Sequence, residues 1–132
     1  MKKIIALFII CLSFNAQGQE MKFVYGNIYI GDVQITPAIA KQRSIYVSSE
    51  AYMLFKKAST IRGWNYFWGV FGAYEVIAGA AYLSENSLAI LDIGIGGVCI
   101  GIIPGRESKR LLFMNDAVNA FNEALAKKRL NN

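Results

Sequence analysis

Glu75 and Asp92 are acids in runs that are otherwise almost wholly apolar. The runs read WNYFWGVFGAYEVIAGAAYL over Trp64–Leu83 and SLAILDIGIGGVCIGIIP over Ser87–Pro104. A carboxyl group in such surroundings is costly to ionise, so it either holds a proton or faces a partner, a cation or water. Counted back and forward from Glu85 at about 1.5 Å per helical residue, the two acids lie about 15 and 10 Å from the polar turn. Two readings follow. In one, Glu75 and Asp92 form a proton- or cation-binding site in an oligomer. In the other they are structural, with a protonated acid bonded to a backbone carbonyl, to Tyr74 or to Asn65.

Other chemistry is poorly supplied. The chain has no histidine, which removes the commonest general base and metal ligand together. Of its 2 cysteines, Cys11 lies in an apolar leader, and Cys99 is expected to behave as a small buried residue. Gly94-Ile95-Gly96-Gly97 hints at a dinucleotide loop, but the third glycine of that motif would fall on Cys99, inside an apolar run. There is no phosphate loop, and the serines have no base to activate them. Glu20 and Asp32 are expected to be solvated. The sequence therefore predicts no enzyme, no catalytic residue, no metal and no cofactor.

The elements that must carry the two acids are helices. Trp64–Leu83 has 20 residues and Ser87–Pro104 has 18. As helices they measure about 30 and 27 Å, close to one hydrocarbon core. Neither shows a polar face at helical spacing, and only Ser84-Glu85-Asn86 separates them. This is the pattern of a two-span transmembrane helical hairpin, assigned to 63–105. Trp64, Tyr66, Phe67, Trp68 and Tyr82 stand where rings favour the headgroup level, and Arg62, Arg106, Lys109 and Arg110 flank the spans. Pro104-Gly105 is expected to end the second helix.

Nine of the 12 glycines fall between Gly63 and Gly105. Small residues let helices approach closely in lipid. Gly72, Glu75 and Gly79 share a face of the first helix. Gly94, Gly97 and Gly101 make a stripe on the second, with Asp92, Gly96 and Cys99 on roughly the opposite side. Gly72, Gly79, Gly94, Gly97 and Gly101 are thus the expected packing positions, with one face of the second helix for its neighbour and one for another chain.

Around the hairpin, residues 1–18 read as a secretory signal peptide: Lys2-Lys3, an apolar Ile4–Phe14, then Ala16-Gln17-Gly18 before Gln19. Residues 19–62 form an extracytoplasmic segment. In it Lys22–Tyr25 and Asn27–Ile30 are β-prone about Gly26, and Thr36-Pro37 starts a short helix through Ala40 to Arg43. Ser48 caps a longer helix that either kinks at Gly63 or runs on into the first span. Residues 106–132 predict an amphipathic helix from Glu107 to Leu130, with Leu111, Met114, Val118, Phe121 and Leu125 on one stripe. The fold class expected is an all-α membrane protein with a small N-terminal β-prone segment.

The order of these parts resembles a known layout. Glu50-Ala51-Tyr52-Met53-Leu54-Phe55-Lys56-Lys57-Ala58, the Gly-rich pair of spans and Ala117-Val118-Asn119-Ala120-Phe121-Asn122 resemble a group of small, uncharacterised, exported two-span membrane proteins of Bacteroidota-type bacteria. That group carries motifs like E-A-Y-x-x-Y-K-K-A and A-V-x-x-Y-N. Phe55 and Phe121 stand where it often shows tyrosine, and Glu75 departs from its apolar span. The resemblance implies an envelope location, with no activity, catalytic residue or cofactor.

The expected function is a small scaffold or accessory subunit of the envelope; the alternative is an oligomeric proton or cation conduit through Glu75 and Asp92. The formal charge is +5, and without Lys2 and Lys3 the chain keeps 12 basic and 9 acidic residues. Basic residues beside the spans suit anionic lipid and not nucleic acid. The partners expected are the lipid bilayer and either further copies of the chain or another membrane protein. Two rules conflict on topology. A cleaved leader sends both flanks to the periplasmic side of the inner membrane, whereas the basic flanks obey positive-inside only if reversed. The leader commits the chain first, so periplasmic flanks are expected, with the outer membrane as the alternative.

Overall fold

A computed structural model describes residues 19–131. The expected signal peptide, residues 1–18, lies outside them. The described chain is mostly helical, with a small three-stranded sheet at its N-terminal end. It divides into two compact units: residues up to Lys56 with those from Phe113 onward, and Lys57–Leu112.

The first unit begins with β1 (Met21–Val24), β2 (Asn27–Ile30) and β3 (Val33–Ile35), an antiparallel meander in sequence order. Tyr25 and Gly26 both have positive φ, 48° and 85°, in the two-residue loop from β1 to β2. That loop is a type I′ turn, whose twist matches the strands it joins. Gly31, at φ 58°, takes the first central position of the second loop. The sequence expected two strands; Val33–Ile35 adds a third, too short for its alternation to be read. The register sets Met21 opposite Ile30 and Phe23 opposite Ile28, so the apolar set shares one face.

The outer edge of β1 is closed by a side chain. The Met21 N–H donates to Asn122 Oδ1 at 2.8 Å, and Asn122 Nδ2 donates to the Met21 carbonyl at 2.7 Å. The amide thus stands in for a neighbouring strand on an edge that would otherwise be open. Helix α1 (Pro37–Ser44) starts with Pro37 at its first position and Thr36 Oγ1 accepting from the Ile39 N–H. Inside this unit Met21, Ile28, Ala40, Phe55, Met114, Val118, Phe121 and Leu125 are buried together with Ser44, whose hydroxyl donates to the Ala40 carbonyl. From Met114 to Leu125 the stripe read on the C-terminal helix is therefore core of its own chain, while Leu111 is half-buried.

Two helices pass through both units. Helix α2 (Ser49–Tyr82) is unbroken, with Ser48 Oγ accepting from the Ala51 N–H at its start. The choice left open at Gly63 resolves to a continuous helix. Helix α3 (Ala89–Gly101) and helix α4 (Ile103–Leu130) are separated only at Ile102. This corrects two expectations. Pro104-Gly105 does not end the second helix, and the C-terminal helix starts at Ile103 and not at Glu107. Pro104 falls in the first turn of α4, where a missing N–H breaks no helical bond. The Ile102 N–H donates to the Val98 carbonyl, and the Arg106 N–H donates to that of Ile102.

Among the described residues one helical run, Ala89–Leu130, is long and apolar enough to cross a membrane. The first apolar segment, with Asn65, Glu75 and its many rings, does not reach that standard, so a second span is not established by length and composition.

Candidate functional site

The second unit is built on the approach of α2 to α3. A Cβ added at Gly72 would stand 2.8 Å from the Gly96 carbonyl oxygen, and one at Gly96 would stand 2.5 Å from that of Gly72. At Gly79 the same atom would meet the Ala89 carbonyl at 2.6 Å. Lower residues of α2 thus face higher residues of α3, so the helices run antiparallel. They meet backbone to backbone, which any side chain at these glycines would prevent. The residues buried in this unit are small: Ala58, Gly72, Gly79, Ala89, Gly96 and Cys99, with Asn65 the largest.

Gly72 and Gly79 lie in this contact. Gly94, Gly97 and Gly101 do not, since nothing lies within 4 Å of a Cβ built at any of them. Within the chain, the face of α3 that meets α2 is Ala89, Ile93, Gly96 and Ile100, the side on which the sequence puts Asp92. The reason lies in the partner: the hollows at Gly72 and Gly79 receive the backbone at Gly96 and Ala89. A glycine pattern on one helix alone does not choose between its two small-residue faces.

Glu75 and Asp92 are both half-buried. The pairing of Gly72 with Gly96 and of Gly79 with Ala89 brings them to levels within about one turn of each other. Neither makes a hydrogen bond or ion pair among the described residues, and neither reaches Tyr74 or Asn65 by such a bond. Among the described residues no three His, Cys, Asp or Glu side chains gather as a metal ion requires.

Asn65 is engaged elsewhere. Its Oδ1 accepts from Arg106 Nε at 3.1 Å, and its Nδ2 donates to Glu107 Oε2 at 3.2 Å. Glu107 Oε1 in turn accepts from Arg110 Nε at 2.8 Å and from its Nη2. The Arg110 hydrogen bond holds the Glu107 carboxyl below its ordinary pKa; partial burial opposes this, and the charge of Arg110, the Asn65 amide and the charge of Arg62 reinforce it. A polar clamp therefore joins α2 to the start of α4, across 41 residues of sequence between Asn65 and Arg106.

Beside the clamp, Trp64, Phe67, Trp68 and Phe71 touch one another along α2. Trp64 and Trp68 stack at 6.4 Å, and Phe67 meets Trp68 edge to face at 5.2 Å. Sequence reasoning placed Trp64, Phe67, Trp68 and the arginines at a span end but missed Phe71 in the ring cluster and Glu107 as a clamp residue. Its signal was an acid set among Arg106, Lys109 and Arg110. Gly96 lay on the second of the two expected packing faces, and it is this face that meets α2.

No protein-family model, curated protein or solved structure matches this chain.

Proposed function

We propose that the protein is a small membrane-anchored scaffold or accessory subunit of the cell envelope, with the α2–α3 pair in the bilayer. The observation that carries this reading is the surface of the pair. The most apolar window within Ala89–Leu130 is only 17 % buried, unlike the core helix of a soluble protein. Its large side chains, Ile90, Leu91, Ile95 and Val98, point away from the chain, as do Val70, Phe71 and Ile77 on α2. Lipid is the solvent that such a surface fits. The expected topology keeps 19–62 and 106–132 periplasmic at the inner membrane, with the resemblance and the leader as its support.

A second reading, an oligomeric proton or cation conduit, is favoured by one observation: Glu75 and Asp92 are half-buried, near one level and without partners among the described residues. One experiment separates the two. Purified protein in liposomes is tested for proton and cation flux, and native membranes are probed for co-purifying chains. A stable hetero-complex without flux supports the scaffold. Flux that disappears in Glu75→Gln supports the conduit and overturns it.

A further inference from the structure

The clamp leaves positive charge unspent. Arg62, Arg106, Lys109 and Arg110 stand against the single carboxylate of Glu107, which Arg110 already neutralises. Arg106 is held through Nε by Asn65, and its two Nη nitrogens have no protein acceptor among the described residues. Arg62 and Lys109 are exposed and make no hydrogen bond or ion pair there. Arg62 is one turn of α2 from Asn65, and Lys109 is one turn of α4 from Arg106, so both stand on the clamp's side of their helices. An anchored guanidinium with free Nη groups is the side chain best shaped to grip a phosphate through two parallel bonds.

The surroundings decide what carries that phosphate. The ring cluster Trp64, Phe67, Trp68 and Phe71 adjoins the clamp, and Trp64, Phe67 and Phe71 are exposed at 50, 51 and 36 %. A soluble anion has no use for such a surface, whereas a lipid brings a phosphate and an acyl chain together. We propose that this end of the helix pair binds the headgroup phosphate of an anionic phospholipid. Arg106 grips the phosphate, Arg62 and Lys109 close around it, and Trp64 and Trp68 lie along the upper acyl chain.

The proposal rests on the membrane reading, and the chain supplies its own probe, since its 2 tryptophans are both at the site. Full-length protein is reconstituted in vesicles of phosphatidylcholine and phosphatidylglycerol, with bromine on the acyl chains of one lipid or the other at equal mole fraction. Quenching of tryptophan emission then reports which lipid sits beside Trp64 and Trp68. The expected result is association of phosphatidylglycerol at least about threefold stronger than of phosphatidylcholine, weakening as salt is raised. Arg106→Gln, and separately Arg62→Gln with Lys109→Gln, should each lower the preference by about two- to fivefold. The second variant removes no hydrogen bond of the described fold, so it carries the test if Arg106→Gln loosens the helix pair. Equal quenching by both lipids, or a preference that survives both variants, overturns the headgroup site while leaving the membrane reading intact. Absence of quenching by either lipid overturns both.

Discussion

In the unit that ends in the C-terminal helix, Phe55 and Phe121 are 2 % exposed and Met114 is 1 % exposed. In Lys57–Leu112, Ile77 and Val98 are 68 and 69 % exposed, and what is buried is glycine, alanine, Cys99 and Asn65. Both units are rich in apolar side chains, yet only the first uses large ones to hold itself together. Its stability follows from burying them out of water. The helix pair keeps its large side chains outside and spends its small ones on backbone contact. The proposed bilayer setting accounts for that arrangement, since water would favour the reverse. One unit is explained by its own core; for the other the proposed lipid surroundings supply what its core does not.

The sharpest break expected is in the first unit. Phe121→Ala should cost about 3–5 kcal/mol, the range for removing a fully buried aromatic ring. The check is amide exchange at Met21 and Ile28. Unchanged protection there would show that the ring is not structural.

Next, adjacent glycines on α3 should behave oppositely. Gly96→Ala places a methyl against the Gly72 carbonyl and should destabilise the helix pair by about 1–3 kcal/mol. Gly97→Ala meets open space and should be neutral or stabilise by up to about 1 kcal/mol. Detergent unfolding followed by tryptophan emission measures both. Equal effects would mean that α3 presents a different face to α2. A Gly97→Leu variant that keeps the pair but changes oligomer size would assign the outer stripe to a second copy.

The smallest effect expected is in the clamp. The Glu107 carboxyl is held below its ordinary value of 4.5, chiefly by the Arg110 hydrogen bond. A depressed folded pKa contributes stability that is fully present above the unfolded value and is lost as pH falls through the folded one. The helix pair should therefore hold constant stability above about pH 5.5, a unit clear of that value, and weaken as the medium is acidified below it. Glu107→Gln should remove that part of the acid dependence, read in the same unfolding assay. An acid limb that persists undiminished would assign it to other carboxyls.

Local signals were the legible ones. Gly26, Thr36-Pro37 and Ser48 announce a turn and two helix starts, because each acts on backbone within a few residues of itself. The stripe from Met114 to Leu125 announces a buried face through its period alone. What sequence did not disclose depends on distant partners. Asn122 seals β1 from 101 residues away, and Asn65 is claimed by Arg106 and Glu107 and not by either acid in the apolar runs. The proline signal misled because the same residue that interrupts one helix is at ease in the first turn of the next. The glycine signal pointed to both faces of α3, and only the hollows of α2 select one.

The central claim is that the outer face of the helix pair lies in lipid. A single cysteine introduced by Val98→Cys in a Cys11→Ala, Cys99→Ala background tests it, with Tyr25→Cys, at a position 99 % exposed, as the reference. Purified protein in vesicles opened to both faces is treated with a charged, membrane-impermeant maleimide. The account predicts rapid labelling at position 25 and protection at position 98 until detergent dissolves the bilayer. Labelling at position 98 as fast as at position 25, with the vesicle membrane intact around the protein, would contradict it.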